Sequence, residues 1–201
     1  MLKDLVKKCR SYRRFYEDTP ISREELEEMV DTARLTASTA NSQALKYRLV
    51  DSPEECDRLF PCLAWAGALK DWNGPEKGEQ PSAYIVILCD LALGKNKQWD
   101  EGIAAQTILL AATEMGYGGC MIGSCRRSEI LSILQLEPEK YSVGLVLALG
   151  KPKEEVRIVP VKEDGNTAYY RDENQVHYVP KRGLGDILVL HTYTSPVSNS
   201  C

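Results

Sequence analysis

The stretch that most constrains this chain is residues 100–124, DEGIAAQTILLAATEMGYGGCMIGS. Between positions 102 and 115 only Gln106, Thr107, Thr113 and Glu114 are polar. Ile103, Ala104, Ile108, Ala111 and Met115 recur at helical spacing, while Ala105, Leu109, Leu110 and Ala112 fill the opposite side. A helix apolar nearly all round is buried on nearly all sides. In a chain of this size it is a central core helix or one clamped in a subunit interface. Its polar residues are too many for a membrane span, which takes about twenty predominantly apolar residues. Gly116 is placed to end it, because glycine enters the left-handed region without a Cβ clash. The following Gly118-Gly119-Cys120-Met121-Ile122-Gly123 is backbone with little side chain in the way. It suits the floor beneath a flat ligand, or else a tight turn.

At 201 residues with 43% hydrophobic and 27% charged side chains, the chain is ordinary globular material of single-domain size. A net charge of -4 argues against a general nucleic-acid or anionic-membrane binder. The seven cysteines (Cys9, Cys56, Cys62, Cys89, Cys120, Cys125, Cys201) form no Cys-x-x-Cys pair, and His177 and His191 are not grouped with them. That pattern fits neither a zinc site nor a secreted disulfide framework. The start, MLKDLVKKCR, has no apolar signal core, so a reduced, cytoplasmic setting is expected.

Along the chain, Leu2, Leu5, Val6 and Cys9 mark one side of a short helix. It runs into five positive charges, Lys7, Lys8, Arg10, Arg13 and Arg14. These form a solvated basic patch or, with the Ser11 hydroxyl among them, the guanidinium-plus-hydroxyl set a phosphate asks for. Ser22-Arg23-Glu24-Glu25 is a capping box opening a helix with Leu26, Met29, Val30 and Ala33 on one face. After Leu35 comes TASTANSQ, in which Ser38, Thr39, Asn41 and Gln43 offer amides and hydroxyls. They make an ordinary loop, or a wall for a planar heterocycle with several donors and acceptors. Residues 46–51 alternate as a strand, 53–63 read as a helix with proline in its first turn, and 84–89 (YIVILC) as a central strand. The Gly/Pro-rich loop 73–81, following two tryptophans, is a lid or a surface excursion. A short helix at 128–136 and a buried strand at 143–149 come next. From residue 153 the chain turns polar, and an extended segment of that length is expected to wrap a partner subunit. Pro180-Lys181-Arg182 supplies a second basic pair, residues 187–190 are a strand candidate, and 189–201 a loose tail.

Together these stretches resemble the FMN-dependent nitroreductase family, over roughly residues 2–187. The resemblance rests on Arg10-Ser11-x-Arg13 followed by Phe15, on the 38–43 loop, on the central helix with its GYGGCMIG sequence, and on Lys181-Arg182. It implies an α+β, nitroreductase-like fold: a central, mostly antiparallel sheet flanked by helices, in an intertwined homodimer with C-terminal arm exchange. One FMN-binding domain spans 1–188. In such a protein Arg10, Ser11, Arg13, Lys181 and Arg182 grip the FMN phosphate. Ser38, Thr39, Asn41 and Gln43 meet the isoalloxazine and ribityl from the other subunit. Met121, Ile122, Gly123 and Ser124 lie under the flavin, with the backbone of Gly123 and Ser124 near N5. No side chain is needed as nucleophile, and no metal.

The family's second motif usually has prolines, and a tryptophan after its glutamine, where this chain has Ala37, Ala44 and Leu45. That difference bears on the substrate side. The implied activity is ping-pong hydride transfer from NADH or NADPH to a nitroaromatic or quinone-like acceptor. The rivals are a non-catalytic flavin store or sensor, and another chemistry on the same fold such as dehydrogenation, dehalogenation or flavin breakdown. A thiol redox protein using Cys120 and Cys125 matches no redox spacing.

Overall fold

The computed structural model describes residues 1–94 and 98–189. In chain order its helices are α1 (Leu2–Lys8), α2 (Arg23–Arg34), α3 (Pro53–Leu59), α4 (Gln98–Glu114), α5 (Arg127–Ile133) and α6 (Leu184–Ile187). The strands are β1 (Phe15–Tyr16), β2 (Leu45–Val50), β3 (Ala83–Asp90), β4 (Gly118–Ile122), β5 (Tyr141–Pro152), β6 (Val156–Pro160), β7 (Tyr170–Arg171) and β8 (His177–Lys181). The main sheet is antiparallel throughout, in the order β1-β5-β3-β2, with β4 also on β5. The expected α+β fold with helices against a central antiparallel sheet is what forms.

The apolar run of β3 is unbroken because both its faces are covered. Ala83, Ile85 and Ile87 join the core beneath α2 and α4, while Tyr84, Val86 and Leu88 join the one beneath α3 and α5. Strand period two sends alternate side chains to opposite faces. A bulge opposite Ile87/Leu88 lets β5 skip Gly144. That irregularity explains why Val143 and Val146, an odd number apart, share one core. On α2 the Ser22 hydroxyl accepts from Glu25 N (3.2 Å) and the Glu25 carboxylate accepts from Ser22 N (2.9 Å), closing the capping box. Its Leu26, Met29 and Ala33 are buried.

The long helix runs from Gln98 to Glu114, and Gly116 comes just after it with φ +84°. Ala104, Ala105, Ile108, Leu109, Ala111 and Ala112 are buried, but a stripe through Gly102, Ile103 and Gln106 faces out. The tight turn that the glycines allow does not form. Gly118 and Gly119 lie in β4, pressed against their neighbours. A Cβ on Gly119 would sit 2.3 Å from Ala148 O, and one on Gly118 would sit 2.5 Å from the Tyr12 ring. They are glycines because of close approach across the sheet, not because of backbone dihedrals.

Two other expectations are corrected. Residues 153–181 do not extend away from the chain; they fold into a second sheet, order β6-β8-β7, with β6 and β8 parallel. This sheet is tied to its own chain: Lys153 N donates to Arg14 O (3.0 Å), and Arg13 N to the Glu154 carboxylate (2.5 Å). Of the strand candidate at 187–190, Ile187 ends the helical turn α6, whose Asp186 carboxylate accepts from Gly183 N (2.9 Å), 188 and 189 form no strand, and 190 lies outside the described residues. Beyond Val189 the expected tail lies outside the described residues. Among the described residues no helix is long and apolar enough to cross a membrane.

Candidate functional site: two joined clefts over β4

The segment between α1 and β1 carries the first basic cluster. Ser11 bridges to Gly119, Tyr12 N donates to Gly119 O (3.0 Å), and Phe15 is wholly buried against β5. With Phe15 and Tyr12 pinned, Arg10, Ser11 and Arg13 line a cleft of ≈ 330 Å³ beside α4. Strand β8 forms another wall: His177, Val179 and Lys181 all face in, as alternation along a strand requires. Arg182, one residue on, is exposed and does not line the cleft.

The guanidinium of Arg10 donates to Val6 O (2.7 Å) through Nη2, while its Nε is buried without a partner. Arg13 lies over the Tyr169 ring at 5.0 Å and donates to Ser11 O (3.2 Å). Behind them the carboxylate of Glu154, with a fully buried side chain, accepts from Arg13 N and from Arg171 Nη2 (3.0 Å). That single buried acid sets the height of Arg13 in the cleft. Burial, then the charges of Arg13 and Arg171, hold the His177 imidazole down at about 4, so it is neutral near pH 7.

A second cleft of ≈ 180 Å³ shares Arg13, Met121 and Tyr169 with the first. Its floor is the end of β4 and the two residues after it: Met121, Ile122, Gly123 and Ser124. Its rim is Ala64, Trp65, Ala66 and Gly67. The floor is anchored through its carbonyls. Gly123 O accepts from Arg127 Nη2 (3.1 Å), and Ser124 O from Ala64 N (2.9 Å). The rim is tied to the second sheet, since Ala68 N donates to the Tyr169 hydroxyl (3.2 Å) and Arg171 stacks on Trp72 at 4.3 Å. A basic end, a bare-backbone floor and an apolar rim thus form one elongated depression.

The 38–43 loop lies elsewhere. Ser38 and Gln43 line a separate cavity of ≈ 220 Å³ with Arg34, Tyr47 and the buried Asp100. Thr39 donates to the Asp100 carboxylate from N (3.0 Å) and from Oγ1 (2.7 Å). Ala40, Asn41 and Gln43 all take positive φ (52°, 51° and 47°), so the loop holds strained backbone at its exposed tip. Within one chain, then, Arg10, Ser11, Arg13, Lys181 and Met121 through Ser124 come together. Ser38, Thr39, Asn41, Gln43 and Arg182 do not join them.

Sequence reasoning missed His177, Tyr169, Glu154 and the 64–67 rim. The only local trace was the spacing 177, 179, 181, which puts three residues on one face of a strand. The thiols give no support to redox chemistry: burial drives Cys120 up to about 12 and raises Cys125, leaving little thiolate at neutral pH. Cys9, Cys56, Cys62, Cys120 and Cys125 form no disulfide.

The sequence model of the nitroreductase family matches residues 6–151. A protein of Archaeoglobus fulgidus, provisionally named an NADH dehydrogenase/NAD(P)H nitroreductase, is 30% identical over 149 residues, covering 71% of this chain and 80% of that one. An FMN-dependent nitroreductase of Clostridium difficile R20291 is 26% identical, with a TM-score of 0.61 over 75% of this chain and 87% of that chain. A provisionally named nitroreductase of Desulfovibrio desulfuricans, solved in complex with FMN, superposes with a TM-score of 0.68 at 20% identity. That overlap covers 96% of this chain and 97% of the other. The chain belongs to the nitroreductase family.

Proposed function

We propose that the protein is an FMN-dependent NAD(P)H oxidoreductase that reduces nitroaromatic or quinone-like acceptors, with residues 1–188 forming one cofactor-binding unit. What supports this most is the continuity of the two clefts, a basic end running into bare backbone. The residues fit the group. Arg10 Nε and His177 Nδ1 are buried without partners at the end where a phosphate would sit. Arg10, Arg13 and Lys181 can offset nearly two negative charges by charge-assisted hydrogen bonds. Ser11 adds a hydroxyl, and Met121 through Ser124 offer a floor that no large polar side chain crosses. FMN would supply the chemistry there, a ping-pong exchange with NAD(P)H as electron donor and a flat electron-poor molecule as acceptor. The chain's own part is to hold the phosphate, present oriented backbone near the ring, and keep one face open beneath the 64–67 rim.

The assembly in this reading is a homodimer. Leu2 (71% exposed), Val6, Ile103, Ile187 and Leu188 leave apolar surface uncovered around α1, α4 and the end of the described chain. A partner placed there would bring its own 38–43 loop to the flavin, which accounts for that loop's separation from the basic cleft within one chain. The exposed α6, rather than 153–181, is the described segment free to cross to a partner. A flavin-binding store or sensor is the rival reading. Absorbance of the purified protein, followed by anaerobic NADPH and then a quinone, separates the two. Bleaching and quinone-driven recovery support turnover. A flavin spectrum that neither NADH nor NADPH bleaches favours the store. A colourless protein that takes up no added FMN would falsify the cofactor assignment.

A further inference from the structure

His177 is 1% exposed, its Nδ1 has no hydrogen-bond partner, and it lines the same cleft as Arg10, Ser11, Arg13 and Lys181. A buried imidazole nitrogen is costly to leave unpaired, so an orphan on a residue that lines a cleft calls for a ligand group. Its surroundings say which kind. The ring packs on Tyr169 (5.2 Å between centroids), and its backbone N donates to Glu155 O (2.9 Å). Flanking strands place Val156 and Arg171 beside it.

The charged groups around it are Arg10 and Arg13 from the N-terminal segment, Arg171 from β7, and Lys181 on its own strand. The nearby acids are engaged: Glu154 with Arg13 N and Arg171, Glu155 with Arg157 (2.6 Å). Three cations and one unpaired imidazole line a single cleft, with Arg171 beside the imidazole, and together they call for an anion. A neutral ring gives that anion one more hydrogen bond of fixed direction without adding a further charge to the cleft. Resting on the flavin reading of this cleft, we propose that His177 is a further binding residue. Its Nδ1–H donates to the phosphate, so the site discriminates FMN from riboflavin.

A bound dianion reverses the local field that Arg13 and Arg171 impose. In the flavin-free protein those charges and burial hold the imidazole at about 4. With phosphate alongside, its pKa rises and the imidazole takes up a proton on the acid side of neutrality, while the phosphate, whose second ionisation lies at about 6, gives up protons beside the three cations. Riboflavin, lacking the phosphate, leaves the imidazole where it was.

Two variants and one spectrum test this on the full chain. His177→Phe keeps a ring against Tyr169 but removes the donor, whereas His177→Gln keeps an N–H. Fluorescence titration with FMN and with riboflavin is expected to show H177F about tenfold weaker for FMN and unchanged for riboflavin, with H177Q close to wild type. The imidazole nitrogens can be followed by NMR in the wild-type protein, which has only two histidines, so H177Q assigns the signal. The His177 pKa is expected to rise with FMN and not with riboflavin. Equal losses for both flavins in H177F, or equal imidazole pKa values in both complexes, would overturn the inference while leaving the cofactor reading intact. A wild-type protein that takes up neither flavin overturns both.

Discussion

Removing the buried acid behind Arg13 tests whether Glu154 and Arg171 act as one buried ion pair at the back of the first cleft. The Glu154 side chain is fully buried and that of Arg171 is 9% exposed, with Nη2 and Oε2 3.0 Å apart. Glu154→Ala strands the Arg171 guanidinium, whose Nε already lacks a partner, and leaves Arg13 N unsatisfied. Breaking a buried pair costs about 3–5 kcal/mol, a large part of a total stability of about 5–15 kcal/mol. Glu154→Gln retains an oxygen for Arg13 N and loses only the charge, so its cost is about 1.5–3 kcal/mol. Arg171→Met alone leaves the carboxylate unpaired and costs about 3–5 kcal/mol. In E154Q/R171M no charge is left uncompensated, so the double variant should be more stable than R171M alone. Urea unfolding at one fixed protein concentration, analysed as a double-mutant cycle, is expected to give a coupling of at least about 2 kcal/mol. Costs that merely add, with coupling below about 0.5 kcal/mol, would refute the account of Glu154 and Arg171 as a coupled buried pair.

Changing Arg10 and Arg13 together to alanine should weaken FMN binding at least about a hundredfold in a fluorescence titration, since each charged hydrogen bond is worth about 1.5–3 kcal/mol. Stoichiometric FMN in the purified double variant would end the phosphate assignment. In Gly119→Ala the new Cβ meets Ala148 O at 2.3 Å, and because that atom is backbone the β4–β5 ladder must part. A loss of about 3 kcal/mol or more is expected, read as a melting temperature lower by about 6–12 °C. An unchanged melting temperature would contradict the close approach. Acid stability should fall in two windows. Arg14 (2.5 Å) and Lys153 (2.9 Å) hold the Glu79 carboxylate down at about 2, so its contribution is complete above the ordinary 4.5 and is lost as pH falls from there toward 2. After allowance for solvent screening it amounts to about 1–2 kcal/mol. His177, with its folded value below the ordinary 6.5, favours unfolding as pH falls from 6.5 toward 4, because the unfolded chain takes the proton first. In flavin-free protein, H177F should flatten only the upper window and Glu79→Gln only the lower; the opposite pattern would reverse the assignments.

Much of the main fold was legible because it is local or strongly periodic. The α2 capping box, the unbroken β3 and the long α4 are each marked by residues close together in the chain. The β4 glycines were not legible as a strand, because their reason lies in Ala148 and Tyr12, which only the folded sheet brings near. The second sheet was illegible for a related cause. Its parallel β6–β8 pair closes across a polar connection, and β7 has just two residues, too few to show alternation. Of the site, the Arg10-Ser11-x-Arg13 cluster and Lys181 were readable as charge. Glu154, Tyr169 and His177 were not, since an isolated acid, tyrosine or histidine says nothing until its burial and neighbours are known. The loop at 38–43 was readable as chemistry but not as location.

The cramped packing of β4 carries a lesson for anyone remodelling this scaffold. Any side chain added at positions 118 or 119 collides with its surroundings, so these two positions accept no substitution unless the sheet shifts. Diversity can enter from above, at residues 64–67 and at Tyr169, which borders both clefts. A randomised library should therefore be spent on that canopy, where Tyr169 is joined to Ala68 by one hydrogen bond and a change on either side alters the entrance.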